Sequence, residues 1–130
     1  MSPVRCITNN PLLLDRGFSA LEFHETDVLS LFHIVLKEVT NGYRLLSHPL
    51  TGSIRPDITP YKTILLSDRP AETDFTSVQL IDKAIHYAEN LYQLRDVPIY
   101  QLWSAKEQKD FQLVDLSIIE QALEVAQLPR

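Results

Sequence analysis

The chain has 130 residues, 45% of them hydrophobic and 22% charged, with a formal net charge of −5. A chain of this length buries roughly two-thirds of the surface its unfolded form exposes and fits one domain, so disorder and collagen-like structure are excluded. The acidic balance argues against a nucleic-acid partner, no apolar run approaches the ~18 residues of a membrane span, and the single cysteine, Cys6, excludes an internal disulfide and a multi-cysteine zinc site.

In chain order, residues 4–8 form an apolar, β-branched run that predicts a first strand with Cys6 as a buried, inert thiol inside it. The sequence enters this pattern without a charged leader and apolar stretch, which sets the expectation of a cytoplasmic protein, neither secreted nor membrane-bound. Asn9-Asn10-Pro11 is turn chemistry, residues 12–14 continue as a short apolar turn, and residues 20–24 alternate with period two as a second strand. Thr26 or Asp27 caps a helix whose apolar positions, from Val28 and Leu31 to Val35 and Val39, keep helical spacing until Asn41-Gly42 ends it.

Residues 43–47 and 63–67 predict two further strands, the second apolar on both faces as a covered parallel or mixed sheet requires. A long helix over about 74–92 carries Val78, Ile81, Ala84, Ile85, Ala88 and Leu91 as its core stripe. Residues 94–109 hold Pro98, Tyr100 and Trp103 with little periodicity and predict an ordered connection. Ser117-Ile118-Ile119-Glu120 matches a capping box and predicts a last helix from that point, with Phe111, Leu113, Val114 and Leu116 docking ahead of it. The fold class that follows is α/β, one domain over 1–130, a sandwich with a mainly parallel or mixed sheet of about four strands and helices on both faces.

The segment between the third and fourth predicted strands carries the chemistry. Ser47-His48-Pro49-Leu50-Thr51-Gly52-Ser53-Ile54-Arg55-Pro56, then Thr59-Pro60-Tyr61-Lys62, is a long polar loop that holds Arg55 and Lys62 and follows Arg44, so residues 43–62 carry three cations in an acidic protein. Loops of that length bind, cover or move something more often than they merely connect. If the strands before the two loops are parallel neighbours, Asn9 and Asn10 from the first strand's end, the loop's hydroxyls and the amides around Gly52 are expected to form one cleft for an anionic or amide-bearing ligand. Arg55 and Lys62 serve there as charge clamps and Tyr61 as a lining group. The same residues also suit a plain structural account: an Asx-turn at Asn9-Asn10, a histidine donating to a loop carbonyl at His48, and a self-satisfied Arg55–Asp57 pair. His48 is the acid–base candidate if the protein is an enzyme. Thr51-Gly52-Ser53 lacks Walker spacing, and His24, His33 and His86 offer no metal-ligand spacing, so neither a nucleoside triphosphatase nor a metal site is expected. The sequence names no cofactor.

On these residues the chain resembles the GrdX family, small uncharacterised proteins whose genes accompany those for glycine, sarcosine and betaine reductase components. The resemblance runs through Ile7-Thr8-Asn9-Asn10-Pro11-Leu12, through Leu46 to Pro56 with Thr59-Pro60-Tyr61-Lys62, and through Asp110-Phe111-Gln112-Leu113-Val114-Asp115-Leu116. It carries no catalytic residues across. It implies a cytoplasmic accessory of anaerobic amino-acid reduction, with reductase components as partners, and a lone Cys6 makes no internal dithiol relay for such a pathway. The leading expectation is therefore a small-anion-binding accessory or regulatory protein using Asn9, Asn10, His48, Thr51, Gly52, Ser53, Arg55, Tyr61 and Lys62. The alternatives are a small enzyme acting on a phosphorylated or carboxylated metabolite with His48 as acid–base, and an interaction module docking through Trp103. A two-fold homodimer is the default assembly.

Overall fold

Three short apolar runs pair into one mixed sheet. In the computed structural model, which describes residues 4–18, 20–51, 55–94 and 99–125, β1 (Arg5–Thr8), β2 (Leu21–Phe23) and β3 (Thr63–Leu66) stand in the order β2-β1-β3. β1 runs parallel to β2, with Cys6 opposite Leu21, and antiparallel to β3, with Cys6 opposite Leu65. The helices are α1 (Val28–Thr40), α2 (Phe75–Gln93) and α3 (Ala105–Val125), and 3₁₀ turns lie at Pro11–Asp15 and Ile99–Leu102.

Side chains alternate along a strand, and the alternate residues of β1 and β3 feed two separate clusters. Ile7, Ile64 and Leu66 pack with the apolar stripes of α1 and α2, around Phe32, Val35, Ile81 and Ala88. Cys6 and Leu65, with Val4, pack instead with Leu13 of the first 3₁₀ turn and with Leu116, Ile119 and Leu123 of α3. β3 is buried along its whole length because both clusters draw on it.

Local chemistry sets the helix limits. Asp27 caps α1 by accepting from the Ser30 amide at 2.7 Å, and Asp74 caps α2 by accepting from the amide and hydroxyl of Ser77. Gly42 follows α1 at φ +101°, and a Cβ there would collide with the carbonyl oxygen of Ala71. Arg5 ties the first three elements together. Its guanidinium forks onto Glu22 of β2 at 2.7 and 2.8 Å, reaches Glu38 of α1 at 2.8 Å, and lies 4.3 Å from the centre of the Tyr43 ring.

Two expectations are corrected. Residues 43–47 do not form a fourth strand; they make one antiparallel bridge, Leu45 to Leu66, and the sheet has three strands among the described residues. Serine hydroxyls take the places of ladder partners here. Ser67 Oγ accepts from the Arg44 amide, Ser77 Oγ from the Leu45 amide and Ser47 Oγ from the Leu65 amide, at 2.8 to 2.9 Å, and such side-chain bonds compete with regular pairing. The last helix does not begin at Ser117. It begins twelve residues earlier, at Ala105, because Ser104-Ala105-Lys106-Glu107 is a second copy of the capping-box pattern and is the one in use. Ser104 Oγ accepts from the Glu107 amide at 3.2 Å, and Glu107 Oε1 accepts from the Ser104 amide at 3.3 Å. Phe111, Leu113, Val114 and Leu116 are thus helical residues of α3.

Candidate functional site

The two asparagines that close β1 hold other elements in place. Asn9 is buried; its Nδ2 donates to the carbonyls of Thr26 at 2.8 Å and Pro60 at 2.9 Å, and its Oδ1 accepts from the Lys62 amide at 2.9 Å. One side chain therefore joins the entrance to α1, the end of the long loop and the start of β3. Asn10 is fully buried. Its Oδ1 caps the first 3₁₀ turn by accepting from the Leu12 amide, and its Nδ2 donates to the Gln112 carbonyl and to Asp115 Oδ2, both on α3.

Asp115 is the centre of the polar cluster. It is 6% exposed, and its Oδ2 accepts from Thr63 Oγ1 at 2.6 Å as well as from Asn10 at 3.0 Å. Since Thr63 spends its proton on Asp115, the 2.8 Å contact between Thr8 Oγ1 and Thr63 Oγ1 has Thr8 as donor, and Thr8 in turn accepts from the Asn10 amide at 2.9 Å. Protons therefore point along one line from the end of β1, through β3, to the carboxylate on α3. Lys62 lies beside this line, 5% exposed, with its Nζ donating to the Thr51 carbonyl at 3.1 Å. Burial pushes the Asp115 carboxyl up, against the Thr63 and Asn10 bonds and the charge of Lys62; burial pulls Lys62 down, against the charge of Asp115. For each group the loss of water outweighs the mutual attraction.

A cavity of about 10 Å³, space for about one water, opens between Ser47, His48, Thr51, Lys62, Thr63 and Asp115. Ile118, Ile119 and Ala122 of α3 form its apolar side. His48 is exposed, and its Nδ1 accepts from the Leu50 amide at 3.0 Å. It holds its turn by accepting an amide proton, where the sequence suggested donation to a carbonyl.

The residues named from the sequence thus fall in several places. His48, Thr51 and Lys62 meet at the small cavity, and Asn10 reaches it through Asp115. Asn9 and Tyr61 face a different, larger cavity beyond the carboxyl ends of β1 and β2. Arg55 forks onto Asp57 two residues away, at 3.0 and 2.6 Å, which is the local pair considered above. Gly52 and Ser53 lie outside the described residues. Trp103 donates its Nε1–H to the Ile58 carbonyl at 2.7 Å and stacks on Phe111, so it fastens the 55–59 turn to α3. No group of three His, Cys, Asp or Glu side chains gathers to hold a metal among the described residues. No described helix is long and apolar enough to cross a membrane.

Sequence reasoning missed Asp115 as a site residue. The signal was a carboxylate at helical spacing on an apolar stripe, Asp115 with Leu116, Ile119 and Leu123, which is visible only if 105–125 is read as one helix. Breaking the helix at Ser117 hid it.

Comparison with known proteins gives one finding of kinship: a family model described as GrdX-like protein matches residues 5–124, nearly the whole chain. No curated protein and no solved structure matches.

Proposed function

This chain belongs to the GrdX-like family, and from that premise we propose that it is a cytoplasmic accessory of amino-acid reductase metabolism that takes the oxyanion group of a small metabolite beside Lys62. The observation that carries this reading is the state of that lysine. Its ammonium has three donors, and among the described residues only one hydrogen bond is made, to the Thr51 carbonyl. A buried ammonium with donors to spare is costly unless an acceptor completes it. The adjoining cavity admits one water-sized group, which suits a single oxygen of a carboxylate or phosphate, with the rest of the ligand lying outward past His48. Burial pushes the neighbouring Asp115 carboxyl up, which lessens its opposition to an anion at this place.

The test is a thermal-shift comparison of wild type and Lys62→Met with acetate, phosphate and acetyl phosphate. A ligand that binds only the native state raises the melting temperature by mass action. At least one of these anions should raise the wild-type transition and leave that of Lys62→Met unmoved. Equal shifts in both proteins, or none in the wild type, would overturn the reading.

A further inference from the structure

The larger cavity, about 370 Å³, lies within the volume range of small-molecule sites. It opens beyond the carboxyl ends of the parallel pair β1 and β2, the position where open α/β sheets gather ligands. Its walls are aromatic and acidic. Phe23 closes β2, Tyr61 enters from the long loop, and Tyr100 comes from the second 3₁₀ turn. Glu25 and Asp27 are the only acidic side chains on the lining, and among the described residues the lining holds no lysine or arginine.

These walls are held before any ligand arrives. Asn9 bonds the backbone on two sides of the cavity, at Thr26 and Pro60. The Tyr61 hydroxyl accepts from Gln112 Nε2 at 3.0 Å, the Tyr100 amide donates to the Asp57 carbonyl at 2.9 Å, and the Tyr100 ring stands edge-on to Tyr92. The carboxylates are less committed. Asp27 spends Oδ1 on capping α1, and Glu25 makes no hydrogen bond or ion pair among the described residues.

We propose that this cavity is a binding site for a small organic cation, an alkylated ammonium seated against the faces of Phe23, Tyr61 and Tyr100 and countered by Glu25 and Asp27. Aromatic faces attract a cation through the ring quadrupole, and alkyl groups around the nitrogen fill an apolar wall that a hydrated metal ion would leave empty. Two carboxylates on the lining, with no basic side chain beside them among the described residues, disfavour an anion in the same place. The site is separate from the one at Lys62, and Asn9 stands behind both, since its Oδ1 accepts from the Lys62 amide.

Choline and its uncharged isostere 3,3-dimethylbutan-1-ol separate charge from shape. Titrated into ¹⁵N-labelled protein, choline should move the amide resonances of Asn9, Glu25, Thr26 and Tyr61, and the isostere should bind at least tenfold more weakly. The double variant Glu25→Gln, Asp27→Asn retains a good helix cap at residue 27, so it should keep the wild-type melting temperature while losing at least fivefold in choline affinity. Tyr100→Leu should weaken choline binding while Tyr87→Leu, outside the cavity, leaves it unchanged. The proposal fails if choline leaves those resonances in place, if the isostere binds as well as choline, or if the double variant binds choline as tightly as the wild type.

Discussion

Asp115 gathers more of this protein's polar bonding than any motif suggested. Its carboxyl is pushed above its ordinary value of 3.8 by burial, the Thr63 and Asn10 bonds and Lys62 only partly offsetting this. The native state therefore keeps a proton there that the unfolded chain has released. Through the window between the ordinary and the raised value the folded form binds more protons, so stability from this group is full at low pH and is lost as pH rises. Asp115→Asn keeps an oxygen to accept from both donors but does not titrate. The wild-type melting temperature minus that of Asp115→Asn should increase as pH is lowered from neutral through the carboxylate range. A difference that decreases on acidification would mean that the bonds to the charged form outweigh desolvation. The residue was visible in the sequence only as part of a family-like stretch, because nothing local to 110–116 says that Asn10 and Thr63 will be its partners.

At the scale of elements, caps and periodicity reach as far as one helix or one strand and no further. Asp27, Asp74 and the stripes behind them place α1 and α2 within a residue or two of what their spacing predicts. For α3 the same logic had two Ser-x-x-Glu patterns to choose from and no local reason to prefer Ser104 over Ser117. Docking of Trp103 onto the Ile58 carbonyl just ahead of Ser104 decides between them. Ser104→Ala should therefore cost about 1 kcal/mol in denaturant titration. Ser117→Ala, at an exposed interior position of α3, should be neutral or stabilise by up to about 0.5 kcal/mol, since alanine is the better helix former. The opposite ranking would return the helix start to Ser117. The failed fourth strand has the same origin: residues 43–47 are strand-like in composition and bond to β3 and Ser67 through Leu46 and Arg44, but serine hydroxyls take the amides of Arg44, Leu45 and Leu65 that a longer ladder would use.

Across the whole molecule, both apolar clusters meet on β1 and β3, and Cys6 reports on β1. The thiol is 1% exposed, and its pKa is pushed up to about 12, first by burial and then by the charges of Asp115 and Glu22. Only the thiolate reacts at an appreciable rate, so in native buffer a thiol reagent should label Cys6 only through global opening. Its labelling rate should rise in step with the unfolded fraction across a denaturant transition. Rapid labelling without denaturant would show that the β2-β1-β3 sheet opens locally below the global transition.

Short-range chemistry alone determined the three strands of the sheet, α1, α2 and the polar character of the loop, because periodicity, caps and turn residues act over one element. It also drew His48, Thr51 and Lys62 from one loop, and these do line one cavity. The tertiary structure decided the rest: that Asn9 and Asn10 staple distant segments, that Arg55 turns back onto Asp57, and that α3 carries a carboxylate to the end of β1. Asn10 and Asp115 are 105 residues apart in the chain. No local pattern encodes such a meeting, because it depends on which helix face the sheet buries, and that is settled only when the two apolar clusters close.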